Sequence, residues 1–153
     1  MIRPFPWKCA TCRERAVEPV LLDSYTMPIE QDGQTYDVIL KDVPATKCSR
    51  CQTLVLDESV DDRLSEEFRN MVGLMRPAQI RDCREAIGLT QTEVAQALSI
   101  GEATFARWES GDQIQTRAMD RFLRAYLDLP DLRNYLADHP LPTELLRVNE
   151  LAH

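Results

Sequence analysis

The sequence predicts an α+β protein in which a small, β-rich, metal-bound module is followed by an all-helical domain. Two Cys-x-x-Cys pairs, Cys9 with Cys12 and Cys48 with Cys51, flank a segment rich in β-branched, aromatic and aliphatic residues. From residue 60 onward, apolar residues instead recur at steps of three and four, which is the helical period. A length of 153 residues suits one domain or two small ones, and a metal-stapled segment favours two.

The four paired cysteines predict one structural zinc ion. A two-residue gap lets both sulfurs of a pair reach the same ion at roughly 2.3 Å, and structural zinc takes four such ligands in a tetrahedron. The competing interpretation, a thioredoxin-like redox pair, places Cys-x-x-Cys at a helix start in a βαβ unit, and nothing in this segment resembles that context. Because zinc binding contributes on the order of 10 kcal/mol to folding, it would stabilise a module of this size.

The segment between the cysteine pairs is expected to form strands. Residues 17–27 and 36–40 have strand composition, and Asp32-Gly33 between them predicts a turn with positive φ. A hairpin or small sheet of this kind would return the second cysteine pair to the side of the first.

A helix is predicted over residues 60–75, where apolar side chains mark one face, and Pro77 is expected to end it. Packing on its own domain, a dimer seam and a semi-rigid linker remain open roles for this helix. The predicted domains are a zinc module at 1–60, a linker helix at 61–77, a helical domain at 78–138 and a loosely ordered tail at 139–153.

Residues 78–111 have the local signals of a helix-turn-helix. Gly88 suits the left-handed end of a helix over 78–87, and Thr90 with Glu93 forms a capping box for the next helix. Two helices joined by a short turn that contains glycine are typical of this motif. Further helices are predicted at 102–109, 116–127 and 132–137.

The formal net charge of −7 argues against DNA binding, and residues 79–127 themselves hold six arginines against seven acidic residues. Recognition nevertheless requires only a basic face where phosphates approach. The arginines that could form such a face are Arg107, Arg117, Arg121 and Arg124. This balance predicts weak non-specific affinity and leaves room for a basic partner.

The runs GLTQTEVAQAL at 88–98 and FARWESG at 105–111 resemble the Cro/phage-repressor (Xre) type of helix-turn-helix. With the preceding cysteine quartet, the chain is similar to the MqsA/YgiT-type antitoxins over nearly all of residues 9–138. That resemblance implies a homodimer that binds double-stranded DNA at a palindromic operator, represses its own operon and neutralises a co-encoded ribonuclease toxin.

The resemblance also implies which residues contact DNA. Gln91, which opens the second helix, would touch the backbone, and the start of the third helix would read bases in the major groove. Those base-reading positions are Glu102, Ala103, Thr104 and Arg107. Ala103 stands where the resemblance predicts an asparagine, so the resemblance does not extend to the operator sequence.

Each DNA-contacting residue has an ordinary alternative. Arg107 could bridge guanine O6 and N7, or it could pair with a surface acid such as Glu102. Thr104 could contact a base or simply face solvent. Gln113 and Arg117, in the loop and at the start of the next helix, are candidates for phosphate contacts, whereas Phe105 and Trp108 are expected in the core.

No catalytic constellation is recognisable, so the protein is not expected to be an enzyme. The only histidines are His139 and His153, and a fully thiolate-ligated zinc has no open position for water. The fifth cysteine, Cys83, lies in helical register with Ile80 and is expected to be a buried thiol, with a redox role as the alternative.

The expected compartment is the cytoplasm, because no segment has the length of a membrane span or the apolar core of a signal peptide. Two other functions stay open beside the antitoxin: a stand-alone zinc-containing regulator without a toxin partner, and an interaction scaffold that has lost DNA binding.

Overall fold

A computed structural model of the chain describes residues 3–142 and confirms the α+β class. The chain divides into two compact units, of which the first ends at Gly73 and the second begins at Leu74. Among the described residues, no helix is long and apolar enough to cross a bilayer. The predicted segment 139–153 lies mostly outside the described residues.

The first unit is built on a four-stranded antiparallel sheet in the order β1-β2-β3-β4. Its strands are β1 (Trp7–Lys8), β2 (Arg15–Gln31), β3 (Gln34–Cys48) and β4 (Leu54–Leu56). Asp32 and Gly33 connect β2 to β3 with φ of 54° and 74°, as an Asp-Gly hairpin turn requires. The two strands extend well beyond the predicted segments, because pairing continues from this turn through polar positions as far as Val17 opposite Cys48.

The long β2–β3 hairpin exchanges its inner and outer faces at Asp42. Val38 and Leu40 are buried on one side of this residue, and Val43 and Ala45 on the other, so the alternation of buried positions shifts by one. Asp42 has a φ of 51°, a left-handed conformation that breaks the regular pleat. This local kink keeps the apolar side chains of β3 on the core side over its whole length.

Helix α1 (Ser59–Val72) packs against β3 through its buried residues Val60, Leu64 and Phe68. The ring of Phe68 meets Tyr36 edge-to-face, with 5.6 Å between centroids. The helix ends earlier than predicted, because Gly73 supplies a left-handed cap at φ 73°. Pro77 is instead the first residue of the next helix, where its missing N–H is harmless.

Arg63 ties α1 to the kink of the hairpin. Its guanidinium donates to the carbonyl oxygens of Lys41 at 2.6 Å and Asp42 at 3.1 Å. These carbonyls lie where regular strand pairing is interrupted, so the arginine supplies the donors that the kink removes.

Within residues 74–142, the second unit has five helices around one core. They are α2 (Pro77–Ala86), α3 (Gln91–Leu98), α4 (Glu102–Ser110), α5 (Arg117–Asp128) and α6 (Pro130–Asp138). The core includes Ile80, Phe105, Trp108, Leu123 and Tyr126. Phe105 and Trp108 therefore occupy the core as predicted, and Cys83 is half-buried against the same cluster.

The predicted caps of the helix-turn-helix are present. The side chain of Thr90 accepts from the Glu93 backbone N–H at 3.1 Å, and the Glu93 carboxylate accepts from the Thr90 N–H at 2.7 Å. Gly88 has a φ of 73° after α2, and Ser99 ends α3 with a φ of 58°. These caps fix the short turn that connects α3 to α4.

Candidate metal centre and nucleic-acid interface

The hairpin brings the two cysteine pairs together at its open end, where β2 begins and β3 ends. The Sγ atoms of Cys9 and Cys51 are 3.6 Å apart, as are those of Cys12 and Cys48. All four sulfurs lie within 4.8 Å of one another. A tetrahedron with metal–sulfur distances of about 2.3 Å has edges of about 3.8 Å, so the spacing fits one zinc ion.

Both Cys-x-x-Cys segments adopt the same backbone conformation. In each, the N–H of the first cysteine donates to a carbonyl five residues on: Cys9 to Glu14 at 2.8 Å and Cys48 to Thr53 at 2.9 Å. The residue after the second cysteine, Arg13 or Gln52, has a left-handed φ of 67° or 64°. Two matching knuckles facing each other are what a shared tetrahedral ion requires of its ligands.

Hydrogen bonds favour the thiolate form, which binds metal, at Cys9 and Cys51. At Cys12 the Glu14 backbone N–H acts in the same direction, but burial and the neighbouring sulfurs outweigh it and raise the pKa to about 12. The hydroxyl of Thr53 lies 3.0 Å from the sulfur of Cys51, and this contact, together with the Thr53 backbone N–H, lowers the pKa of Cys51 to about 6. The backbone N–H of Cys12 is the main cause that lowers the pKa of Cys9. Donors of this kind keep ligands oriented and deprotonated.

The four cysteines thus form a closed site for one structural zinc ion. When bound, the ion would supply four metal–thiolate bonds that hold residues 9–12 against residues 48–51, and a site saturated by thiolates leaves no position for a reacting water. Cys9 and Cys48 are buried, whereas Cys51 is exposed. The four thiolates are therefore suited to a structural metal ion that crosslinks the two segments.

In the second unit, a buried ion pair lies beneath the helix-turn-helix. Arg84 Nε donates to Glu109 Oε1 at 2.5 Å, and its Nη2 donates to Oε2 at 3.1 Å. Gln91 Nε2 also donates to Glu109 Oε2, at 2.6 Å, and Arg84 Nη1 donates to the Leu89 carbonyl at 2.8 Å. The pKa of Arg84 is raised, chiefly by these hydrogen bonds to Glu109.

This network determines what Gln91 can offer to DNA. One hydrogen of its side-chain amide is given to Glu109, which leaves the second hydrogen and the amide oxygen for other partners. The link between Gln91 and Glu109 was not predictable, because these residues are eighteen positions apart and no local pattern connects them. The contacts of Glu109 with Arg84 and Gln91 give it a structural role within the second unit.

Helix α4 presents one apolar face to the core and one accessible face. Phe105 and Trp108 are buried, whereas Ala103 and Arg107 are exposed and Thr104 is half-buried. Among residues 3–142, the guanidinium of Arg107 has no ion-pair partner. The pairing of Arg107 with Glu102, which the sequence left open, is therefore not made.

Glu102 is engaged elsewhere. Its carboxylate accepts from the hydroxyl of Thr92 at 2.8 Å, which joins the first turn of α4 to the first turn of α3. A carboxylate at this position adds negative charge to the face that holds Arg107.

The two candidate phosphate contacts follow α4 in the chain. Gln113 is exposed in the loop after α4, and its backbone N–H donates to the Arg107 carbonyl at 3.2 Å. Arg117 is exposed at the first position of α5. Of the other arginines considered for a basic face, Arg121 is exposed, whereas Arg124 donates to the buried Asp120 at 2.7 Å.

The model of the family described as the antitoxin component of bacterial toxin–antitoxin systems, MqsA, matches residues 7–136. The match covers both the cysteine quartet and the helix-turn-helix. No curated protein sequence matches the chain.

Proposed function

We propose that this chain, which belongs to the MqsA family of bacterial antitoxins, represses its own operon through α3 and α4 and neutralises a co-encoded ribonuclease toxin. The observation that carries the DNA-binding part is the accessible face of α4. There Arg107 is exposed and without an ionic partner among the described residues, while the opposite face of the helix is buried.

In this proposal α4 enters the major groove and Arg107 reads a guanine. A guanidinium matches guanine O6 and N7 with two parallel hydrogen bonds, and such a pair discriminates by about 1–3 kcal/mol. Ala103 offers only a methyl group, which suits contact with a thymine methyl or close approach to the groove floor. Gln91, Gln113 and Arg117 contact phosphates on either side and fix the register of the helix.

A homodimer on a palindromic operator completes the assembly. Leu129 and Tyr135 on or beside α6 are more than half exposed, at 54% and 58%, and Leu132 and Leu136 are only partly covered. Apolar side chains of this kind suit a symmetric contact between two copies, since an isologous interface pairs a patch with itself. Half-sites about one helical turn apart would follow from the two-fold axis.

The toxin is assigned to the first unit, which leaves α4 free for DNA. The outer face of its sheet carries Leu21 and Val55, exposed at 63% and 58%, and Pro19 lies on the same face because Thr46 pairs with both Pro19 and Val55. In this view the zinc staple keeps that sheet folded in a chain segment with a small core.

The DNA-binding proposal is tested by titrating the full chain with the DNA upstream of its own gene across a salt series. Arg107→Ala should weaken binding by about 5-fold to 150-fold, the worth of one bidentate base contact. Arg81→Ala is the matched control, because Arg81 is an exposed arginine of the same unit on α2. Its affinity should stay within about twofold of that of the unmodified protein.

Two results would contradict this proposal. Absence of binding at low salt would remove the repressor role, and equal losses in both arginine variants would show only a general charge effect. The antitoxin role is tested separately, by co-expression with the product of the neighbouring reading frame. Growth inhibition by that product should be relieved by the full chain and by Arg107→Ala alike.

A further inference from the structure

A cleft beside the metal centre collects cationic side chains that the proposed function does not use. It has a volume of about 320 Å³ and is lined by Arg3, Trp7, Lys8 and Arg15. Three of these four residues are cationic, and the chain as a whole has a net charge of −7. We call this feature the N-terminal cleft. The cleft is therefore positively charged, whereas the chain as a whole is negatively charged.

Strand pairing places two of these cations face to face. Lys8 on β1 lies directly opposite Arg15 on β2. Like charges at such positions destabilise a sheet, so sequences normally avoid them. Within residues 3–142, neither side chain forms an ion pair, and neither does Arg3. A bound anion would therefore meet cations that have no ion-pair partner within the described residues.

The wall of the N-terminal cleft is held in place. Trp7 Nε1 donates to the Arg3 carbonyl at 2.8 Å, and the Trp7 indole stacks on Phe5 with 4.3 Å between centroids. The hydrogen bond from Cys9 N–H to the Glu14 carbonyl, at 2.8 Å, closes the knuckle that joins Lys8 to Arg15. This hydrogen bond holds the backbone of Lys8 beside that of Arg15, and a preformed site loses less entropy on binding.

We propose that the N-terminal cleft binds a phosphate group, carried either by a free nucleotide or by a nucleic-acid backbone. Guanidinium groups pair bidentately with phosphate oxygens, and the ammonium of Lys8 adds a compact third charge. The indole of Trp7 offers a flat surface on which a base can stack. The residues of this cleft all belong to the first unit, whereas α4 belongs to the second.

The test follows the two indole N–H signals of the full-length, zinc-loaded protein by ¹H–¹⁵N NMR. The chain has two tryptophans, and Trp7→Phe identifies the signal of Trp7 by its disappearance. Inorganic phosphate, AMP and a short DNA duplex unrelated to the operator are added in separate titrations. The Trp7 signal should move saturably with phosphate, while that of Trp108, buried in the second unit, stays in place.

Charge-removing variants decide whether the cleft is responsible. Lys8→Gln and Arg15→Gln should each raise the dissociation constant about tenfold, as expected for the loss of one charge-assisted contact. Lys47→Gln is the matched control, since Lys47 is an exposed lysine on β3 of the same sheet. Arg15→Lys keeps the charge and should retain most of the affinity, and zinc content is measured for every variant.

The outcomes separate the two sources of phosphate. Tighter binding of AMP than of inorganic phosphate assigns the cleft to nucleotides, and tight duplex binding that Lys8→Gln abolishes assigns it to nucleic-acid backbone. Failure of every probe to move the Trp7 signal saturably would overturn the proposal, and so would equal weakening by Lys47→Gln. Arg107→Ala should not affect these titrations, so failure of operator binding and failure of the cleft are distinguishable.

Discussion

The ion pair between Arg84 and Glu109 should be among the most costly interactions to break in the second unit. The Glu109 side chain is only 4% exposed and accepts three hydrogen bonds, two from Arg84 and one from Gln91. Glu109→Ala would leave the Arg84 guanidinium, itself 12% exposed, with the Leu89 carbonyl as its remaining strong acceptor. Removing one partner of a buried pair costs about 3–5 kcal/mol, mainly because the other charge stays buried and uncompensated.

The chain contains an internal control for this prediction. Glu85 also faces Arg84, at 3.8 Å, but its side chain is 61% exposed. Glu85→Ala therefore removes the same type of partner from the same arginine, and it should change the free energy of unfolding by less than about 1 kcal/mol. Urea denaturation monitored by the fluorescence of the buried Trp108 measures both changes, with Trp7→Phe as the background.

A third variant separates the ion pair from simple packing. Arg84→Met combined with Glu109→Leu removes both charges and keeps apolar volume, so it should be more stable than Glu109→Ala alone. The reasoning fails if Glu109→Ala and Glu85→Ala destabilise equally. It also fails if the double variant is the least stable of the three, because the cost would then not arise from an uncompensated charge.

Three further predictions concern the metal centre, the hairpin kink and the recognition helix. Cys48→Ser should abolish zinc binding and unfold the first unit while the Trp108 transition stays nearly unchanged; joint loss of both transitions, followed by circular dichroism and fluorescence, would contradict two independent domains. Arg63→Ala should lower the stability of the first unit by about 1–2 kcal/mol, the worth of its hydrogen bonds to the kink carbonyls, whereas Lys47→Ala should have little effect in the same urea titration. Glu102→Gln should raise affinity for DNA of unrelated sequence a few-fold by removing a negative charge from the face of α4; a loss of affinity, measured by fluorescence anisotropy, would instead indicate that the carboxylate contacts a base.

The metal centre was predictable because its information is local. A Cys-x-x-Cys spacing defines a ligand pair by itself, and an Asp-Gly turn is enough to fold one pair back on the other. The hydrogen-bonding contact between the Thr53 hydroxyl and the Cys51 sulfur was not predictable. A threonine two residues after a cysteine is not a recognisable sequence motif. The facing cations Lys8 and Arg15 were equally hidden, because their pairing depends on a register that only the folded sheet defines.

In the helical unit, too, features that depend on sequence neighbours were predictable, and contacts between distant residues were not. Thr90 with Glu93 predicted the start of α3 correctly, because a capping box involves neighbours in sequence. The ends of α1 were harder to place, since Pro77 is compatible with ending one helix and with beginning another. The alternative that Arg107 pairs with Glu102 is not realised, and the Glu102 carboxylate instead accepts a hydrogen bond from Thr92 on another helix.

The division of residues 1–60, 61–77, 78–138 and 139–153 into separate domains stays a prediction. Helix α1, which was assigned to a linker, packs against β3 and lies with the sheet in the unit that ends at Gly73. The packing of α1 on its own domain was one of three roles that the sequence left open. Its apolar face alone did not distinguish among them, because each role buries such a face.

The register of the β2–β3 hairpin is the same on both sides of the Asp42 kink, and this limits how the length of this chain can change during evolution. Val17 lies opposite Cys48 at one end and Gln31 opposite Gln34 at the other, so the two strands have the same number of residues between these pairs. Deleting a single residue from one strand would turn every side chain beyond it to the other face. It would also move one knuckle along the strand and away from its partner. Homologues of different length are therefore expected to gain or lose residues near the turn in pairs, one from each strand.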